Sequence, residues 1–152
     1  MIDIIFCMDT TGSMHNYIKK SIEAVKKIVN DTSNLPNKKP RSILFGFVAY
    51  KDHPPQDKSY ITKVQPLTDA TNVLDFIRNL TASGGGDGPE AVLDGLFDSI
   101  NKTNLRENSL KYIFHIGDAP PHGREFTADK TDAWPEGCPC KLKLEDLAEL
   151  MK

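Results

Sequence analysis

The sequence predicts an α/β fold of three layers, Rossmann-like and doubly wound, with a mainly parallel sheet that carries one antiparallel edge strand. Three observations carry this expectation. Near-continuous apolar runs from Ile2 to Met8, Ser42 to Tyr50 and Leu110 to Ile116 read as strands inside a parallel sheet, covered on both faces. Segments of helical period separate them. A weaker run from Tyr60 to Val64 only alternates, and the turn before it is too short for a crossover helix, so it reads as the antiparallel edge.

The first strand breaks at Asp9-Thr10-Thr11-Gly12-Ser13, and Met14, Ile18, Ile22, Val25 and Val29 then recur at helical spacing. Lys19, Lys20, Lys26 and Lys27 lie mostly off that stripe and read as a solvated face. Asn34 to Pro40 closes the unit as a polar loop. After the second strand comes a turn rich in proline and charge, Asp52-His53-Pro54-Pro55-Gln56-Asp57, and then the edge strand. Asp69 or Thr71 caps a helix bearing Val73, Leu74, Phe76, Ile77 and Leu80. Gly84 to Gly88 forms a glycine-rich loop, and Pro89 is placed at the first position of a helix carrying Ala91, Val92, Leu93, Leu96, Phe97 and Ile100. The last clear strand ends at Gly117-Asp118, a proline-broken loop runs to Cys140, and a final helix begins near Leu142.

At 152 residues the chain is about one domain on the length prior, enough for a core without disulfide staples. Lysine plus arginine, 19, nearly balance aspartate plus glutamate, 21, so no global attraction to nucleic acid or to an anionic membrane is expected. No apolar stretch suits membrane insertion, and the start has neither a basic region nor a cleavage site of a secretory signal. Three cysteines do not make a disulfide framework, so a reducing, cytoplasmic setting is expected. Cys7 lies mid-strand as a small buried hydrophobe.

Ligands of open parallel sheets bind beyond the carboxyl ends of the strands, where strand order reverses. Three loops deliver oxygen donors to such positions: Asp9-Thr10-Thr11-Gly12-Ser13, Asp87-Gly88-Pro89-Glu90, and Asp118 after Gly117. Alternate residues Asp9, Thr11 and Ser13 can point the same way, and Gly12 permits a backbone bend. A hard dication such as Mg²⁺ takes carboxylate, hydroxyl and water oxygens, and Asp9, Thr11, Ser13, Glu90 and Asp118 supply that mixture. Helix capping explains each loop taken singly. It does not explain three of them converging on one sheet edge.

The strings Asp9-x-Thr11-x-Ser13, Gly84-Gly85-Gly86-Asp87-Gly88-Pro89-Glu90-Ala91 and Ile116-Gly117-Asp118-Ala119-Pro120-Pro121-His122-Gly123, in this order, resemble the von Willebrand factor type A domain family with its metal-ion-dependent adhesion site. The resemblance implies one Mg²⁺, or Mn²⁺ or Ca²⁺, held directly by Thr11, Ser13 and Glu90 and directly or through water by Asp9 and Asp118. It further implies an open position for an acidic residue of a protein partner. Many members carry a threonine in the second loop; Asp87 and Glu90 here look like the integrin beta-subunit version, with Glu90 as direct ligand. Three carboxylates then weaken the pull on an acidic partner relative to a threonine-type site, unless one of them coordinates only through water. Asp87 caps the following helix or serves a second metal, and Asp52 and His53 stand by as supporting or second-metal residues. Since the family carries further strands beyond the position of Lys152, residues 1–152 are expected to be a single domain of this type lacking its C-terminal strands.

Tyr50-Lys51-Asp52-His53-Pro54-Pro55, the Gly-Gly-Gly-Asp loop and Trp134-Pro135-Glu136-Gly137-Cys138-Pro139-Cys140 are similar to the subgroup associated with alpha-type protein kinases. The implied function is noncatalytic, divalent-cation-dependent protein binding. Alternatives are a regulatory or targeting domain of a larger signalling enzyme, such as such a kinase, and a metal-free interaction scaffold. A phosphate-binding loop is excluded because the glycines end in acids that repel phosphate, and neither a nucleotide-gripping lysine motif nor a catalytic loop of kinase type is visible. Cys138, Cys140, His122 and His115 offer zinc-type donors, though Cys-x-Cys is atypical spacing; the competing role is loop packing, which Trp134 would anchor.

Overall fold

The computed structural model describes residues 1–34 and 42–151. The polar loop expected from Asn34 to Pro40 falls, past Asn34, outside the described residues. Strands β1 (Ile2–Asp9), β2 (Ile43–Tyr50), β3 (Thr62–Thr68) and β4 (Leu110–Ile116) form one sheet in the order β3-β2-β1-β4. Helices are α1 (Ile18–Ser33), α2 (Ala70–Arg78), α3 (Val92–Asn101) and α4 (Leu144–Leu150). β1 runs parallel to β2, from Ile2 opposite Ile43 to Asp9 opposite Tyr50, and parallel to β4, from Ile2 opposite Leu110 to Met8 opposite Ile116. β3 is antiparallel to β2, and its Pro66 is tolerated because the strand lies at the sheet edge.

The three layers follow from side-chain alternation. Ile4, Phe6 and Met8 of β1, with Phe45, Phe47 and Ala49 of β2, pack beneath α1 and α2 through Val25, Val29, Val73 and Ile77. The other face sends Cys7 and Tyr50 against Val92 of α3, and α4 seats Leu147 on Leu93. Phe6 sits between Phe47, at a centroid distance of 6.3 Å, and Phe114, at 5.6 Å. Burying the Phe6 and Phe47 rings contributes about 1.5–3 kcal/mol each, whereas Phe114 stays exposed on its outer side.

Two helix starts differ from expectation. Met14 is buried on the predicted stripe but lies in a 3-10 turn (Gly12–Asn16), and α1 begins only at Ile18. The Thr11 carbonyl accepts from the Met14 amide at 3.2 Å, which tightens this turn while the hydroxyls point elsewhere. Pro89 is not the first residue of α3. The Glu90 amide donates to the Pro120 carbonyl at 3.0 Å and the Ala91 amide to the Lys51 carbonyl at 2.9 Å, so both residues are drawn into the site before α3 starts at Val92. The cap of α2 is Asp69, which accepts from the Asn72 amide at 2.9 Å.

At the amino end of the sheet Asp3 is buried beneath Arg106, whose Nε donates to Oδ1 at 2.7 Å and whose amide donates to Oδ2 at 2.8 Å. The guanidinium also donates to the Ile2 carbonyl and to Ser42, tying the chain before β4 to β1 and β2. This clamp helps set the register that carries Asp118, at the far end of β4, to its place.

Candidate metal centre

With β1 between β2 and β4, α1 returns the chain on one face of β1 and α3 on the other, so the switch point lies between the carboxyl ends of β1 and β4. Asp9 ends β1, and Asp118 follows β4 by two residues. Asp9 Oδ1 accepts from the Thr11 amide at 2.8 Å and from the Thr11 hydroxyl at 2.7 Å. Thr11 Oγ1 lies 3.2 Å from Ser13 Oγ, and Ser13 donates to Asp118 Oδ1 at 2.8 Å. Glu90 reaches the same place from the α3 side: its Oε1 and the Thr11 Cβ flank Gly85, 2.9 and 3.2 Å from where a Cβ on that glycine would stand. The five residues singled out in the sequence therefore form one connected group, with Asp9, Thr11 and Glu90 buried as its floor and Ser13 and Asp118 exposed as its rim.

Backbone pairing brings the loops together. The Ser83 amide donates to the Thr10 carbonyl at 3.0 Å, and the Gly12 amide to the Gly84 carbonyl at 2.8 Å. Gly12 does not take a positive φ; its use is close approach, since a Cβ there would stand 3.0 Å from the Gly84 carbonyl oxygen. The chain does bend here, at Thr11 and into the 3-10 turn, and a larger residue would be resisted by this contact rather than by φ. Gly85 does adopt the left-handed region, at φ 78°, and a Cβ on it would come within 2.9 Å of Glu90 Oε1. A buried pair supports this loop from beneath. Lys51 stands 3.6 Å from Asp57, Asp57 accepts from the Gly85 amide at 3.3 Å, and Lys51 donates to Ser83 at 3.0 Å. Nothing local in the sequence marks Lys51 and Asp57 for this role.

The electrostatics are those of an acidic seam, offset at its Asp52 end by the His122 imidazole. Asp9 Oδ2, Glu90 Oε2, Asp52 Oδ2 and Asp87 Oδ1 are buried with no hydrogen-bond partner among the described residues. Burial, then the charges of Asp9 and Asp52, push the Glu90 carboxyl up to about 9. Asp9 is likewise raised, by burial first and by Asp118 and Asp52, against the lowering effect of its Thr11 bonds. Burial and the facing Asp52 carboxylate push Asp87 up to about 6. Native proteins rarely leave such groups unsatisfied, and a cation is the partner this donor set fits.

Asp87 does not cap α3: its Oδ2 accepts from the Ala133 amide at 2.6 Å, and the cap position is Ala91, which makes no side-chain capping bond. Asp52 Oδ1 accepts from the His53 amide at 2.6 Å and pairs with His122 Nε2 at 2.8 Å, while His122 Nδ1 meets Asp132 at 2.8 Å. Burial lowers the His122 pKa, but the two aspartates outweigh it and hold the imidazole above its ordinary value. Trp134 stands edge-on to His122 at 4.7 Å and to His53 at 5.4 Å, anchoring the long loop as expected.

The zinc-type set suggested by the sequence is rearranged. His122 is held by its two aspartates, and His115 pairs with the Tyr50 hydroxyl at 2.8 Å. Cys138 and Cys140 instead meet His53 and Asp94. Asp94, in the first turn of α3, was not anticipated; a lone acid beside an apolar stripe gives no local sign of what it faces.

The sequence model of the von Willebrand factor A domain matches residues 3–133. An alpha-protein kinase, vwkA of Dictyostelium discoideum, is 34% identical over 146 residues, which is 96% of this chain and 23% of the kinase. A putative ariadne-like RING finger protein, R811 of Acanthamoeba polyphaga mimivirus, is 28% identical over 136 residues, 85% of this chain and 12% of that protein. The chain thus spans about a quarter or less of the length of these curated relatives. In fold it is similar to the pilus adhesin SpaC of Lactobacillus rhamnosus GG in its open conformation, with a TM-score of 0.58 and 16% identity over 80% of this chain and 16% of the adhesin. Among the described residues no helix is long and apolar enough to cross a membrane.

Proposed function

Since the chain belongs to the von Willebrand factor A domain family, we propose that it is a noncatalytic module that binds a protein partner through a divalent cation at the carboxyl edge of its sheet. The observation that carries this reading is the pair of buried, unpartnered oxygens on Asp9 and Glu90 beside the Thr11 hydroxyl. Thr11, Ser13 and Glu90 are the direct ligands of Mg²⁺, with Mn²⁺ or Ca²⁺ as substitutes, and Asp9 and Asp118 bind directly or through water. Such an ion supplies a coordination position that attracts a carboxylate. Asp9 orients the Thr11 hydroxyl, and the exposed rim of Ser13 and Asp118 is where an acidic side chain of a partner reaches the site. Asp52 and Asp87 add negative potential behind Glu90, which favours the cation and tempers its attraction for an acid.

Thermal unfolding with and without Mg²⁺ tests this. Binding to the folded state alone stabilises it by about 2.7 kcal/mol at a hundredfold excess over the dissociation constant. The double variant Ser13→Ala, Asp118→Ala changes only exposed ligands; it is expected to melt normally in chelator and to lose the Mg²⁺ response. An unresponsive wild type, or an equal response in the variant, would leave the chain a metal-free scaffold. A second reading, in which the domain regulates or targets a larger signalling enzyme, is favoured by the 34% identity that covers 96% of this chain within a kinase. The neighbouring coding sequence tests it: an adjoining kinase-like region is expected, and the absence of any adjoining catalytic region rules the reading out.

A further inference from the structure

Apart from the oxygen-lined site, four side chains from three separate segments converge on one point. His53 follows β2, Asp94 lies in the first turn of α3, and Cys138 and Cys140 come from the turn before α4. His53 Nε2 is 3.0 Å from Asp94 Oδ2, Cys138 Sγ is 3.1 Å from the same oxygen, and Cys138 Sγ is 3.5 Å from His53 Nε2. Cys140 Sγ stands 4.0 Å from His53 Nδ1, and one donor atom from each of the four residues lies within 4.8 Å of all the others. His53, Asp94 and Cys138 are buried.

These spacings have a chemical meaning. Zinc bound tetrahedrally at about 2.0–2.1 Å from nitrogen or oxygen and about 2.3 Å from sulfur sets neighbouring ligand atoms about 3.3–3.8 Å apart. The observed triangle of imidazole nitrogen, carboxylate oxygen and thiol sulfur is close to that, slightly contracted; Cys140 faces Nδ1 rather than Nε2 and closes the fourth corner by swinging toward Asp94 and Cys138, within the 4.8 Å that spans the set. A His-Asp pair with one thiol donor would account for three of these residues. It leaves Cys140 unexplained. The turn in which the Lys141 amide donates to the Cys138 carbonyl at 2.8 Å, with Lys141 at φ 61°, brings both sulfurs of Cys138-Pro139-Cys140 to the same side. Two thiols with imidazole and carboxylate suit a borderline-soft ion, whereas the oxygen set at Asp9, Thr11, Ser13, Glu90 and Asp118 suits a hard one.

We infer that His53, Asp94, Cys138 and Cys140 form a structural zinc site, chemically distinct from the proposed Mg²⁺ site. Binding releases the thiol protons of Cys138 and Cys140 to solvent and leaves two thiolates, a carboxylate and a neutral imidazole around the ion. With four protein ligands no coordination position is left for substrate, so the site staples rather than catalyses. What it staples is the long irregular segment between β4 and α4, which it joins to α3 and to the loop after β2. His53 is adjacent to Asp52, whose carboxylate backs the acidic seam, so the staple also supports the floor of the oxygen-lined site.

Metal analysis of the chain purified in reducing buffer tests the inference. One zinc per chain is expected, retained in excess Mg²⁺ and in the Ser13→Ala, Asp118→Ala variant, so that failure of the Mg²⁺ site leaves this result untouched. Replacement of zinc by Co²⁺ is expected to produce tetrahedral ligand-field bands and a thiolate-to-cobalt charge-transfer band. Cys138→Ser with Cys140→Ser is expected to weaken zinc binding by about a hundredfold or more, losing two ligands where even an outer-shell loss costs 10–100-fold. Should that variant fail to fold, the cobalt spectrum of the wild type decides by itself. Absence of zinc with no charge-transfer band, zinc retained at full stoichiometry in a folded cysteine variant, or a Cys138–Cys140 disulfide in place of the metal would each overturn the inference.

Discussion

Arg106→Met removes the guanidinium that holds the amino end of the sheet while keeping most of the side chain's length. Asp3 has no side-chain exposure, and Arg106 has 21%. The substitution strips Asp3 Oδ1 of its 2.7 Å donor and also deletes the bonds to the Ile2 carbonyl, at 2.8 Å, and to Ser42 Oγ, at 2.7 Å. Oδ2 keeps the residue-106 amide and Ser109. A buried carboxylate deprived of its cation costs about 3–5 kcal/mol, a large share of the roughly 5–15 kcal/mol that holds a domain together. At about 2–4 °C per kcal/mol the melting temperature should fall by roughly 6–20 °C.

The sign of the pH dependence follows from the same geometry. Burial pushes the Asp3 pKa up, but Arg106 and Ser109 outweigh it and hold the carboxyl below its ordinary value. The contribution of Asp3 is therefore fully present above the unfolded value of about 3.9 and is lost as pH falls through the folded one. The gap between wild type and variant should be widest near neutrality and close in acid. Urea denaturation at several pH values measures it, and Asp3→Asn added to Arg106→Met should recover part of the loss. A neutral-pH loss under about 1 kcal/mol would refute the argument, as would strictly additive effects.

Gly85→Ala places a Cβ 2.9 Å from Glu90 Oε1 and 3.2 Å from Thr11 Cβ at φ 78°, so it should cost about 1–2 kcal/mol and diminish the Mg²⁺ response in the melting assay; an undiminished response would count against the placement of Glu90. Gly95→Ala, in α3, should destabilise by about 1–3 kcal/mol in urea although alanine favours helix, because its Cβ would meet Tyr50 Cδ1 at 2.6 Å and Cys7 Sγ at 3.0 Å. A more stable variant would mean that α3 stands off from the sheet.

How much was legible in the sequence depended on the range of the interaction concerned. β1 was readable because both faces are buried, so Ile4, Ile5, Phe6, Cys7 and Met8 are apolar in succession. From Ile18 to Val29 the stripe correctly marked the face of α1, though its first member Met14 lies in the 3-10 turn, and the short connection correctly marked β3 as antiparallel. Helix starts were less secure. Pro89 is a good first residue of a helix on local grounds, and it lost to the bonds that Glu90 and Ala91 make with Pro120 and Lys51.

Local periodicity and loop composition were enough to set out the elements, the mainly parallel sheet and the oxygen-bearing loops at its edge, because those depend on which residues prefer water and which bends glycine and proline allow. They could not say which acids lose their water. Asp9, Glu90, Asp52 and Asp118 look alike in the chain, yet the first three are buried and the last is exposed. Nor could they say that His53, rather than His122, meets the cysteines. Cys138 lies 85 positions from His53. That juxtaposition is made by the crossover through α3 and the packing of the long loop, and neither desolvation nor contact at that range leaves a trace in local sequence.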